Sequence, residues 1–193
     1  MTTAVQEPQT QTQMHPEVPR PLPEAEAIYR RWLAHLNAEF TRNTNCQRRS
    51  EIVRDELHSI LLGRPHGGRM NAALISELPL AVVAETLDPR NVVLPAEMDG
   101  GTLDRDRFNA VKPLLWFWRG FDRSILGANL WLGLRFRSML GHHIFAGLGT
   151  NVRFYRDVVF ERGYTLTFED NTILKPGARI DDAEARVVRG TVV

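Results

Sequence analysis

Residues Phe168–Ile180 read FEDNTILKPGARI. Large apolar residues return at Phe168, Leu174 and Ile180, and the fifth residue of each unit is small, Thr172 and then Ala178. An α-helix brings apolar residues back every three to four positions and a half-buried strand every two, so a six-residue beat fits neither. It describes a short strand and a turn, repeated.

The beat runs backwards through FERGYT from Phe160, FYRDVV from Phe154 and LGTNVR from Leu148. Two extra residues, Leu166 and Thr167, interrupt it before Phe168. The third and fourth positions hold Thr-Asn, Arg-Asp, Arg-Gly, Asp-Asn and Pro-Gly, pairs that favour turns because Asn, Asp and Gly tolerate positive φ and proline fixes it. After Ile180 the phase is expected to fail, since Glu184 and Arg186 stand where small and apolar residues belong. A rival pattern overlaps the first units. Val152, Phe154, Val158, Phe160, Tyr164, Leu166 and Phe168 also alternate, with Arg162-Gly163 and Asp170-Asn171 as turns, which describes an antiparallel meander. Beyond Phe168 the alternation stops and the six-residue beat continues, which favours the repeat.

The hexads resemble the hexapeptide-repeat acyltransferases, whose left-handed parallel β-helix stacks one aliphatic residue per hexad in a triangular core. FEDNTILKPGARI is similar to that family's isoleucine-glycine-aspartate-asparagine unit, with Phe168 and Glu169 in place of isoleucine and glycine. The resemblance covers roughly residues 141–182. It implies about two coils, acetyl-CoA or another acyl-CoA as co-substrate, a hydroxyl- or amine-bearing acceptor such as a sugar, and a homotrimer with sites between neighbouring coils. Such an enzyme needs a general base near neutrality, commonly histidine. The family's usual histidine lies beyond the part matched here, and no histidine follows His143 in this sequence. His142 and His143, at the entrance to the first hexad, are the candidates left, against the plainer reading of two connector histidines. A shortened, inactive member of the class is a further expectation.

Before the hexads the chain reads as helical. The 193 residues carry 43% hydrophobic residues, enough for one packed domain with appendages. Residues 1–22 are rich in Gln, Thr and Pro and read as a flexible tail. From Pro23, Ile28, Tyr29, Trp32, Leu33, Leu36 and Phe40 recur at helical spacing, and a second helix is expected from Ser50 through Leu61, with His58 a structural residue in it. RPHGGR at 64–69 lacks the Lys-Ser or Lys-Thr of a phosphate loop and reads as a linker. Residues 71–94 stay open between helix and strand, DPRN at 88–91 is a turn, and EMDGGTLDRD at 97–106 a polar loop.

The stretch 113–140 is the most apolar, but its longest uncharged run, Ser124–Leu134, is far short of the roughly 20 residues a membrane span needs. Trp116, Trp118 and Trp131 with Arg119, Arg123, Arg135 and Arg137 would suit a helix at a lipid surface, or one packed on the next domain.

These readings give an α+β fold: tail 1–22, a mainly helical region 23–140 and a β-helix segment 141–193. A net charge of +1 excludes a global field for nucleic acid. One cysteine, Cys46, rules out an internal disulfide and cysteine-rich zinc sites, and with no apolar leader core a reducing, cytoplasmic setting fits, peripheral to a membrane at most. Asp181 and Asp182, adjacent on an extended strand, point to opposite faces and read as a solvated turn, so no metal is expected. The functional expectation is acyl transfer; the alternative is a non-enzymatic helical module for a membrane surface or protein partner.

Overall fold

The computed structural model describes residues 18–66, 79–99 and 103–193. Most of the expected tail, parts of the RPHGGR and EMDGGTLDRD loops and the first apolar run after residue 70 lie outside them.

Helix α1, Pro23–Arg42, begins on a proline with Glu24 and Glu26 in its first turn, where the helix dipole favours them. Helix α2, Cys46–Leu62, starts four residues before the expected Ser50, because Asn45 caps it by accepting the Gln47 and Arg48 N–H groups. Its buried residues include Ile52, Val53 and Leu57. The open segment 71–94 is resolved from Leu80 as helix α3, Leu80–Thr86, and DPRN forms a 3-10 turn at Pro89–Asn91, followed by another at Pro95–Met98.

The apolar stretch is three helices rather than one. Helix α4, Arg105–Asp122, is capped by Asp104; α5, Ile125–Ala128, by Ser124; and α6, Leu130–Ile144, by Asn129. Each break falls where a Ser or Asn side chain accepts a backbone N–H and ends the preceding helix. Trp118 and Trp131 are buried, and Arg137 is 1% exposed against Asp122. Most of the side chains that suited a lipid surface are therefore spent on packing. Among the described residues no helix is long and apolar enough to cross a membrane.

Helix α6 runs to Ile144, past the expected boundary at 141, and Phe145 leads into the strands. β1 is Gly147–Leu148, β2 Arg153–Phe154, β3 Leu166–Phe168, β4 Ile173–Leu174, β5 Arg186–Val188 and β6 Thr191–Val192. All pairings are parallel, in two ladders, β1-β3-β5 and β2-β4-β6. Gly147 pairs with Thr167, Arg153 with Ile173, and Val159 bridges Arg179, each a step of 20 residues. The chain thus returns over itself along three sides. The antiparallel meander is excluded, because sequential strands do not pair.

The expected loss of phase after Ile180 is corrected. Val188 is buried over Phe168, eight residues after Ile180, as Phe168 lies eight after Phe160. The two-residue excess recurs once per coil, so it is a wide corner and not an interruption. The third coil is begun by β5 and β6, the latter pairing at a step of 18 through the tighter turn at Gly190.

Two inward columns build this core. Phe154, Phe160, Phe168, Leu174 and Ile180 head their hexads and are buried; Val152, Val158, Tyr164, Thr172 and Ala178, each four after the heads from Leu148 to Leu174, are buried too, and the column ends at the exposed Glu184. Phe145 packs on Trp118, Phe154, Phe160 and Phe168 at ring distances of 4.7–6.0 Å, joining the helical core to the coil core.

Candidate functional site

Helix α4 crosses the first coil and is tied to it at both ends. At its start Arg107 donates to the Tyr164 carbonyl at 2.7 Å and lies over the Tyr164 ring, while the Asp104 N–H reaches the Tyr164 hydroxyl at 3.3 Å. At its end Asp122 accepts from Arg137 Nε at 2.7 Å and from the Asp157 backbone N–H at 3.0 Å. Arg137 also donates to the Gly127 carbonyl at 3.0 Å. Burial pushes the Asp122 carboxyl upward, and Arg137 and the Asp157 N–H pull against it.

Between these ties lies a cavity of about 340 Å³. One wall is α4 with its C-cap, through Trp118, Arg119, Asp122 and the capping Arg123; the other is the coil from Asp157 to Glu161. Helical spacing puts Arg119 and Arg123 one turn apart on the same side of α4. Arg119 donates to the Phe160 carbonyl at 3.5 Å, and burial holds its guanidinium below the usual range. This arrangement can hold an oxyanion. Its signal in the sequence was the Arg119/Arg123 pair; which wall faced it was not legible.

A second cavity of about 360 Å³ opens at the wide corner, beside Asp99, Arg162, Arg179 and Asp181–Ala183. Asp182 is no solvated turn residue. It is 2% exposed and accepts the N–H groups of Glu161, Arg162 and Gly163 at 3.1, 2.7 and 2.7 Å. The solvated turn expected of the pair holds for Asp181 alone, which is exposed and accepts the Ala183 N–H at 3.2 Å. Arg162 donates to the Ala183 carbonyl at 2.6 Å and to Asp99 at 3.1 Å, so these charges are occupied in holding the corner.

The two candidate bases lie apart from both cavities. His142 is exposed on the last turn of α6. His143 points to the helical side: its Nε2 is 2.9 Å from Asn37 Oδ1, and its ring meets Phe40 edge-on. Burial, then Arg49 and His142, press its pKa down to about 4. It is uncharged at neutral pH and a weak base. His58 lies buried with its Nε2 3.2 Å from the Ala84 carbonyl, the structural role expected of it. Among the described residues no cluster of three or more His, Cys, Asp or Glu side chains could hold a metal ion.

No protein-family profile, no curated protein and no solved structure matches this chain.

Proposed function

We propose that the chain carries an acyltransferase unit of the hexapeptide-repeat class, its coil left-handed, using acetyl-CoA or a related thioester and a hydroxyl or amine acceptor such as a sugar. The observation that supports this reading is the 20-residue parallel step, which stacks the hexad heads Phe154 over Leu174 and Phe168 over Val188. A homotrimer, with sites between coils of neighbouring subunits, goes with it.

In the reaction a base takes the proton from the acceptor as its oxygen or nitrogen attacks the thioester carbonyl. The tetrahedral intermediate then expels the coenzyme A thiolate, which is protonated. Of the two histidines in this chain considered for the base, exposed His142 is the better suited, because His143 is half-buried against Asn37 and held to a pKa of about 4.

The test is release of free coenzyme A thiol from acetyl-CoA over a panel of sugars and amines. Acceptor-dependent release, lost in His142→Ala and kept in His143→Gln, is expected. Folded protein that binds no acetyl-CoA and releases no thiol across the panel overturns the reading.

A further inference from the structure

A second space borders the same end of α4 as the Arg119 cavity, on its helical side. A hollow of about 210 Å³ lies between α2, α3 and α4, lined by Leu57, Leu61, Val82, Val83 and Trp116 among others, and Arg123 lines both spaces. Val82 and Val83 are exposed at its lip, at 61% and 45%. The larger space by itself falls within the roughly 300–1,000 Å³ of small-molecule sites.

Charge distinguishes the two ends. Among the described residues, no carboxylate lies within ion-pair distance of Arg119 or Arg123, whereas Arg54, Arg90 and Arg137 each have one. Arg123 adds to the burial that makes Arg119 costly to charge, and an anion between them would relieve both effects. The acids of the cavity are largely engaged elsewhere, Asp122 by Arg137 and Asp157 by Arg156 at 2.8 Å. Glu161 stands on the coil wall and attracts Arg119 without pairing. A separate sign comes from Trp118. It lines the cavity, is 2% exposed, and its indole N–H, like that of Trp131, has no hydrogen-bond partner among the described residues, which leaves a donor at the cavity wall.

We propose that the two spaces, which share Arg123 as a wall, form one site for a single-chain anionic amphiphile, its phosphate or carboxylate head between Arg119 and Arg123 and its alkyl chain along Leu57, Leu61, Val83 and Trp116. Guanidinium groups match the planar and tetrahedral oxyanions in hydrogen-bond geometry, and the hollow removes the chain from water. The site does not depend on acyl transfer; a protein without transferase activity would still bind this ligand.

Calorimetric titration with decyl phosphate and with decanoate, both below their micelle-forming concentrations, tests it, with inorganic phosphate as the head alone and phosphatidylglycerol vesicles as a membrane source. Saturable one-to-one binding of at least one amphiphile is expected, with inorganic phosphate weaker by about tenfold or more. Arg123→Gln should cost about tenfold in affinity and Arg123→Lys less, since the lysine keeps the charge. Val83→Asp should weaken the amphiphile by about tenfold and leave inorganic phosphate unchanged. Both side chains are exposed, so melting temperatures should match the unsubstituted protein. Absence of saturable binding, binding indifferent to both substitutions, or capture by vesicles alone overturns the proposal, the last in favour of a membrane surface.

Discussion

Asp182 closes the wide corner of one coil onto the next. Its carboxylate accepts three successive backbone N–H groups, two of them fully buried, and its own carbonyl accepts the Thr165 hydroxyl at 2.8 Å. Asp182→Ala would leave the Arg162 and Gly163 N–H groups without an acceptor, and a loss of about 3 kcal/mol in urea unfolding is expected. Asp182→Asn keeps one acceptor oxygen and should lose about half as much. His143 sets a pH dependence. Its folded pKa, about 4, lies below the ordinary 6.5, so the unfolded chain binds a proton that the native state refuses. The stability this group allows is full above about pH 6.5 and falls as the pH drops towards 4. Melting temperature should therefore decline from pH 7 to pH 4.5, and His143→Gln, which keeps an amide for Asn37, should flatten part of that decline.

At the level of elements, the corners depend on residues that accept left-handed backbone. Asn151 and Asn171 have φ of 54° and 59°, are twenty apart, and bond side chain to side chain at 2.8 Å; Asp157 and Gly177 repeat the pattern at 60° and 78°. Asn171→Val should cost about 1–2 kcal/mol and Asn171→Gly only a few tenths, a difference readable in paired denaturant curves. Helix α5 has the opposite constraint, one of space. A Cβ at Gly127 would stand 2.4 Å from the Phe121 carbonyl oxygen and 2.7 Å from the Asp122 Cα, both backbone atoms that cannot swing aside. Gly127→Ala should destabilise by about 2–3 kcal/mol. It would also disturb the Gly127 carbonyl that Arg137 uses.

Across the whole molecule, helices and coil share one core. Trp118 meets Phe145, Phe154 and Phe160 edge-on at 5.2–6.0 Å, and Trp32 and Phe121 stack on Phe136 at 5.6 and 3.7 Å on the helical side. The Asp122–Arg137 pair adds a polar tie between α4, α6 and the corner at Asp157. Removing only one partner leaves a buried charge, so Asp122→Ala should cost about 3–5 kcal/mol, whereas Asp122→Leu with Arg137→Met should cost far less. Unfolding followed across a urea series by tryptophan fluorescence, which reports the helices, and by amide hydrogen exchange in the coil, at Val159 and Ile173 for example, should give coincident transitions. Two separate transitions would show that the helical region and the coil stand independently.

Much of this architecture was legible before any coordinates. The helix from Pro23 and the hexad heads from Phe154 to Ile180 follow from residue spacing, because the period of apolar residues reflects which side chains must leave water together. Spacing also set Phe168 and Leu174 in one buried column, as successive heads along one coil. What spacing could not carry was any relation between distant segments. That Val188 resumes the column after a second wide corner, that Asp182 is buried beneath three N–H groups, and that Arg137 finds Asp122 depend on which surfaces meet when the chain returns over itself. The candidate site has the same origin: Arg119 and Arg123 could be seen on one helical face, but only docking of α4 on the coil turned that face towards Phe160 and Glu161 and away from bulk water. Local pattern determines which groups seek burial; tertiary packing decides the partners they find there, since those partners are held in place by contacts from far along the chain.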